Sequence, residues 1–344
     1  LLLVMIGLKF WDFSDSESRK FEEPIGMDDK ISQNPKPVVH KSMDAEPRTE
    51  LEPDYGSLEE ALELSMLSNS PILKDLTLGF SSVQAMRKFI NSAEANGIEL
   101  IDQMDALKTI RFKVSNLARA SRYFDQFEDE MEPQFNYRVR TPELPRPEFL
   151  EGEKSFGDKA DDWIGTPEER EDWGRGVKVA ILDSGIDRTH SNLDGVSIEE
   201  IDLLGTGTSS RGHGTAIASI ISGNDSGVMG IAPSASLLSI RVLNGEGEGN
   251  SFTVAQGIVE AANRGAQVIN LSLGGTGGST VLKNAVEYAR SKGSLVVAAV
   301  GNEGVSGVSY PAKFDNVIGV TSVDANGRQS SFANYGEGVD IAAP

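Results

Sequence analysis

The sequence predicts an α/β fold, with a mostly parallel sheet flanked by helices, preceded by a small α+β domain. Three observations predict it. After Val177 near-continuous apolar runs alternate with helical stretches, the pattern of strands covered on both faces. A shorter block ending at Val139 switches repeatedly between a period of two and a period of 3.6. Between them, Thr141 to Lys159 holds three prolines and several charges and reads as an exposed linker.

The elements follow in chain order. Residues 1–71 read as a leader. Leu1 to Leu8 is apolar but far short of the roughly 20 residues a membrane span needs, and is either the tail of a signal peptide's apolar region or a stub. Trp11 to about Tyr55 is rich in Asp, Glu, Ser and Pro and reads as solvated and largely disordered. Leu58, Leu62 and Met66 recur at helical spacing over Ser57 to Leu67.

Residues 72–141 form the small domain. Leu76, Leu78 and Phe80 alternate as a strand, and Ser81 and Ser82 then offer an N-cap to a helix whose face carries Val83, Met86, Ile90 and Ala93. Gly97 stops that helix. Strands follow at Ile98 to Ile101 and Thr109 to Val114, then a helix faced by Leu117, Ala120, Phe124, Phe127 and Met131, then a strand through Phe135, Tyr137 and Val139. Strand, helix, strand, strand, helix, strand is the split βαβ, or ferredoxin-like, order, which by itself implies no function.

Residues 142–159 are the linker, and residues 160–344 the larger α/β domain. Thr166-Pro167-Glu168-Glu169 reads as a capping box opening a short helix. Strands are expected at Val177–Leu182, Leu237–Leu243, Val268–Leu273, Leu295–Val300 and Val317–Val323, with helices at about 215–222, 253–264 and 281–292. Ligands of such sheets bind beyond the carboxyl ends of the strands.

Composition excludes several classes of function. A net charge of −20 repels phosphate backbones, so nucleic acid is not an expected partner. The absence of cysteine excludes disulfides, thiolate metal sites and a cysteine nucleophile. No segment suits a membrane span, and no Gly-rich phosphate loop follows a strand, which argues against a nucleotide-binding module.

The chemistry gathers at the predicted carboxyl edge. Asp183 ends the first long apolar strand, within Val-Ala-Ile-Leu-Asp-Ser-Gly-Ile-Asp. Thirty residues on, His213 stands between Gly212 and Gly214 where a helix is expected to start, which presents the imidazole at the rim of the sheet. Of the other two histidines, His40 falls in the leader and His190 is expected to make a structural hydrogen bond.

These strings resemble the Asp and His blocks of the subtilisin-like serine proteases. Val268-Ile-Asn-Leu-Ser-Leu-Gly-Gly275 resembles that family's specificity-pocket wall, and Ala298-Ala-Val-Gly-Asn-Glu-Gly304 its oxyanion segment, so four blocks stand in family order. The resemblance implies Asp183 and His213 as two members of a catalytic triad and Asn302 as the oxyanion donor. It implies that Gly247, Glu248 and Gly249 pair with an extended substrate backbone, and that Ser272, Leu273, Gly274, Gly275 and Ser309 surround the pocket for the residue before the cut. It places a structural calcium at Asn192 and Asn224, with Asn192 standing where the family usually has a carboxylate.

The resemblance further implies polypeptide substrates, a secreted or cell-surface enzyme, and a small domain that acts as propeptide, chaperone and inhibitor, with a maturation cut in the linker. The family's Gly-Thr-Ser-Met-Ala nucleophile block is expected about 20 residues beyond Pro344. Gly207-Thr208-Ser209 precedes His213 and is rejected as that block. The chain therefore reads as a fragment of a serine endopeptidase zymogen; the alternative is a pseudoprotease that binds peptides without cutting.

Overall fold

The computed structural model describes residues 76–142, 155–156, 160–167, 169–205, 212–225 and 228–344. Leu1–Leu8, the helix expected over Ser57–Leu67, Gly207–Ser209 and nearly all of the linker lie outside them.

The first unit runs β1 (Leu76–Phe80), α1 (Val83–Ala93), β2 (Ile98–Met104), β3 (Thr109–Val114), α2 (Leu117–Phe124) and β4 (Met131–Phe135). Its sheet is antiparallel in the order β2-β3-β1-β4, the expected split βαβ arrangement. Ser82 caps α1 by accepting from Ala85 N at 3.0 Å, and Gly97 ends the following turn at φ 77°. Phe89 is fully buried at the centre of this unit's core, its ring 5.0–5.9 Å from those of Phe80, Tyr123, Phe124 and Phe127.

The second unit opens with α3 (Ala160–Ile164), β6 (Lys178–Asp183), β7 (Ile198–Asp202), α4 (Gly212–Ser222) and the hairpin β8 (Asn224–Asp225) and β9 (Val228–Met229). It continues with β10 (Ser236–Arg241), β11 (Glu248–Asn250), α5 (Ser251–Asn263), β12 (Val268–Leu271), α6 (Thr280–Ser291), β13 (Leu295–Ala299), β14 (Val317–Ser322) and β15 (Ile341–Ala343). Seven strands form a parallel sheet in the order β15-β14-β13-β12-β6-β10-β7.

Both faces of that sheet are covered, and the strand residues divide between two cores with period two. Ala180, Leu182, Leu238, Ile240, Ile269, Leu271, Val296 and Ala298 pack with α5 and α6. Val179, Ile181, Leu237, Val268 and Val297 pack on the other face with Ala218 and Ile221 of α4 and with Trp173.

Three expectations fail. Met131, read on the face of the second helix, lies beyond its end at Phe124 and begins β4, paired with Phe80. The strand read through Phe135, Tyr137 and Val139 is two elements: β4 stays in the small sheet, whereas β5 (Arg138–Arg140) leaves it and pairs antiparallel with β11. Val139 draws β5 across, being 2% exposed and part of the larger unit's core. No helix begins at Thr166. Instead its N–H and hydroxyl both donate to Asp161 O at 3.0 Å, closing the end of α3. The parallel edge strand β7 has no strong alternation to announce it, because Glu199, Glu200 and Asp202, which fall on both of its faces, are all exposed.

The small unit docks on α5 and α6. Met104 and Leu107 join the larger core, Gln256 Nε2 donates to Asp102 Oδ2 at 3.0 Å, and Asn136 Oδ1 accepts from Ser251 Oγ and Phe252 N at 3.1 and 3.0 Å. Asn136 thus supplements Asn250, which accepts from Thr253 N at 2.9 Å, in satisfying the free donors at the start of α5. Among the described residues no helix is long and apolar enough to cross a membrane.

Separate cores predict separable loss. Phe89→Ala should destabilise the small unit by about 3–5 kcal/mol. Hydrogen exchange should show β1 and β3 losing protection while β6 and β12 keep theirs; equal loss in both sheets would contradict the division.

Candidate active site

Parallel strands bring their carboxyl ends to one edge, so the residues after β6, β12 and β13 are neighbours there. Asp183 ends β6, Ser272 follows β12 and Asn302 follows β13 by three residues, on three adjacent strands. His213 arrives from the first turn of α4.

Asp183 is 1% exposed, and each of its carboxylate oxygens is engaged. Oδ1 accepts from Ser184 N at 2.7 Å and Ser184 Oγ at 3.1 Å, and Oδ2 lies 2.8 Å from His213 Nδ1. The helix start can approach this closely because residue 214 is glycine: a Cβ there would fall 2.3 Å from Gly185 O. Thr215 Oγ1 then accepts from Asp187 N at 2.8 Å and ties the loop after Asp183 to α4.

The hydrogen bond to Asp183 raises the His213 pKa above its ordinary value of 6.5; burial pulls it down, and the carboxylate's charge adds to the rise. With Nδ1 facing Asp183, the Nε2 nitrogen is left for proton transfer. The imidazole side chain remains 39% exposed, open to a reacting group at the rim.

The residues expected to hold an extended peptide line a slot that the chain itself occupies. β5 pairs with β11 in the register Glu248↔Arg140, Gly249↔Val139 and Asn250↔Arg138. Thr141 N extends this pairing by donating to Gly247 O at 2.9 Å, and on the other side of β5 Arg140 and Gly274 exchange two backbone hydrogen bonds of 2.9 Å. The approach is tight, since a Cβ on Gly275 would lie 2.3 Å from Arg138 O. Val139 is enclosed between Gly249 and Gly275, in the same apolar cluster as Leu273, which is fully buried.

Behind that wall Tyr310 and Gly275 exchange backbone hydrogen bonds of 2.8 and 3.0 Å, and Ser309 packs against Gly274. Ser272 Oγ accepts from Asn270 Nδ2 at 3.0 Å. Asn302 is half-buried in the turn after β13.

At the suggested calcium position Asn192 is 7% exposed, and its amide fills the space where a Cβ of residue 223 would stand, beside Asn224. An amide oxygen suits a hard cation, but among the described residues no three His, Cys, Asp or Glu side chains are placed to hold one. His190 Nδ1 accepts from Asn192 N at 3.3 Å, a structural hydrogen bond as expected.

Two polar side chains escaped the sequence reading. Arg170 is 5% exposed and donates to Gly230 O and Met229 O at 3.0 Å each, and Asn334 is 2% exposed beneath the loop carrying Asn302. Gly230 and Met229 lie 60 and 59 residues from Arg170, and Val305, Glu303 and Val300 lie 29, 31 and 34 from Asn334, so no local pattern announces these contacts.

A family model described as the subtilase family matches residues 174–344. Thermitase of Thermoactinomyces vulgaris is 46% identical over 177 residues, 50% of this chain and 63% of that protein. Subtilisin BL of Lederbergia lenta is 45% identical over 176 residues, 50% of this chain and 64% of that protein. The chain thus spans less than two thirds of these relatives. Among solved structures, fervidolysin from Fervidobacterium pennivorans, described as a keratinolytic enzyme related to subtilisin, matches with a TM-score of 0.63 at 25% identity, over 79% of this chain and 46% of that one. The epidermin leader peptide processing serine protease of Staphylococcus aureus shares the fold, with a TM-score of 0.62 at 22% identity over 78% of this chain and 75% of that one. The sheet, the Asp183–His213 pair at its carboxyl edge and the family match agree, and residues 174–344 form a subtilase-family domain.

Proposed function

We propose that this chain is part of a secreted serine endopeptidase made as a zymogen, in which residues 72–141 fold with the protease domain and block its cleft until the linker at 142–159 is cut. The 2.8 Å contact between buried Asp183 and His213 carries the reading, because it is the orienting half of an acyl-transfer triad.

The nucleophile is a serine expected beyond Pro344. Its hydroxyl proton passes to His213 Nε2 as the oxygen attacks the scissile carbonyl, and the same proton then leaves on the departing amine. A water hydrolyses the acyl-enzyme by the reverse exchange. Asp183 fixes the imidazole tautomer and stabilises the imidazolium, while Asn302 donates to the oxyanion as charge develops on it.

The slot between Gly247–Asn250 and Gly274–Gly275 supports an extended polypeptide substrate, held by backbone pairing with side chains sorted by pockets. β5 in that slot supports the inhibitory role of the small unit. The fold likeness over 79% of the chain adds support, since residues 174–344 alone cannot supply that coverage. Calcium, bound through Asn192, Asn224 and nearby carbonyls, would brace the loop between α4 and β9; with no carboxylate among these ligands the site would be weak.

The full-length gene product should digest casein and stop with a serine-directed phosphonate. Peptide binding without cleavage would instead mark a pseudoprotease. Asp183→Asn should lower kcat by roughly 10³–10⁴-fold, the order of loss this triad's logic implies. Because the hydrogen bond to Asp183 holds the His213 pKa up, the acid limb of the kcat/KM profile should also move to lower pH in that variant. An unmoved limb would mean that another group sets it.

Val139→Asp should raise the activity of the uncut zymogen several-fold by expelling β5, with little change once the small unit is removed. Equal effects before and after removal would count against inhibition through this strand. Chelation with EDTA should lower Tm by a few degrees, reversed by calcium and not by magnesium; an unchanged Tm would leave Asn192 and Asn224 as turn residues.

A further inference from the structure

The segment 300–305 carries Asn302, and its shape is set by a residue 32 positions further on. Asn334 is 2% exposed, and its side-chain amide uses its whole bonding capacity on this segment. Oδ1 accepts from Glu303 N and from Val305 N, each at 3.1 Å. Nδ2 donates to Val300 O at 3.2 Å and to the Glu303 carboxylate at 2.7 Å. The backbone joins in: Asn334 N donates to Gly301 O at 3.0 Å, and Thr321 Oγ1 donates to Asn334 O at 3.0 Å, anchoring the arrangement to β14.

Residue 301 has to be glycine for this to close. It sits at φ 110°, and a Cβ there would fall 2.4 Å from Asn334 Nδ2. Residues 300, 301, 303 and 305 are therefore each tied to one buried amino acid, and Asn302 stands in the middle of the tied span. An oxyanion donor acts by being in place before charge develops, so a loop that wanders by about 1 Å forfeits roughly 100-fold in rate.

We propose that Asn334 is a positioning residue for the oxyanion hole: it touches no reacting atom and acts on catalysis through Asn302. This rests on the serine-protease reading above. No other side-chain type of this size offers two donors and two acceptors at once. Aspartate at 334 keeps the shape and the contacts to Glu303 N and Val305 N, but turns an acceptor towards Val300 O and the Glu303 carboxylate. Glutamine at 303 returns a donor to one of those two places.

The test uses the full-length enzyme after maturation, with kcat and KM measured on a peptide amide for wild type, Asn334→Asp, Asn334→Ser, Asn334→Asp with Glu303→Gln, and Asn302→Ala with and without Asn334→Asp. Asn334→Asp should lower kcat about 10–100-fold with KM within about twofold. Glu303→Gln should recover several-fold of that loss. In the Asn302→Ala background the same change should cost less than about threefold, because the group it acts through is gone. Asn334→Ser, without the added negative charge, should lower kcat in the same direction and covers a failure of the aspartate variant to fold.

Full kcat in a folded, active Asn334 variant, or a loss that simply multiplies with that of Asn302→Ala, would overturn the proposal while leaving the protease reading intact. An inactive wild type would remove that reading instead. The loop-holding role is then judged by hydrogen exchange at the Glu303 and Val305 amides, where faster exchange in Asn334→Ser supports it and unchanged exchange ends it.

Discussion

The structure depends on burying one carboxylate. Asp183 lies on an interior strand of a covered parallel sheet at 1% exposure, where an unpaired charge would be far more costly than the fold could tolerate. Its neighbours answer that constraint. Ser184 supplies two donors, the His213 ring supplies the third, and a glycine at 214 lets the start of α4 come near enough to deliver that ring. Stability and chemistry are inseparable at this point, because the group that satisfies the buried charge is the one whose proton affinity the charge raises.

The turn carrying Asn302 solves a different problem with a neutral side chain. The turn after β13 leaves several backbone donors and acceptors without partners in any strand or helix, and a single buried amide collects them. The Asp183–His213 pair and the Asn302 turn are thereby mounted on separate supports, one centred on a buried carboxylate and one on a buried amide, joined through the adjacent strands β6, β12 and β13.

Much of this was legible in the sequence. Asp183 could be placed because fully buried parallel strands read as unbroken apolar runs, and a polar residue at the end of such a run falls at one edge; His213 was placed by the glycines flanking it at a helix start, and Asn302 by resemblance alone. The walls at Gly247–Gly249 and Ser272–Gly275 came from resemblance, and their glycines make sense only when the close passage of β5 is seen. The single strand drawn through Phe135, Tyr137 and Val139 was mistaken because alternation gives the inward positions of a strand but not the sheet that accepts it. Thr166 and Asn334 were misread or missed because a polar side chain has no period, and its partner is found only after the chain has folded.

β5 reaches its slot from within the same polypeptide, and that changes what its contacts must accomplish. A tethered segment sees its site at an effective concentration of about millimolar or more, so a few backbone hydrogen bonds and one enclosed valine suffice to keep the slot filled however dilute the protein is. Were the tether severed, the same contacts would become bimolecular, and occupancy of the slot would fall with dilution.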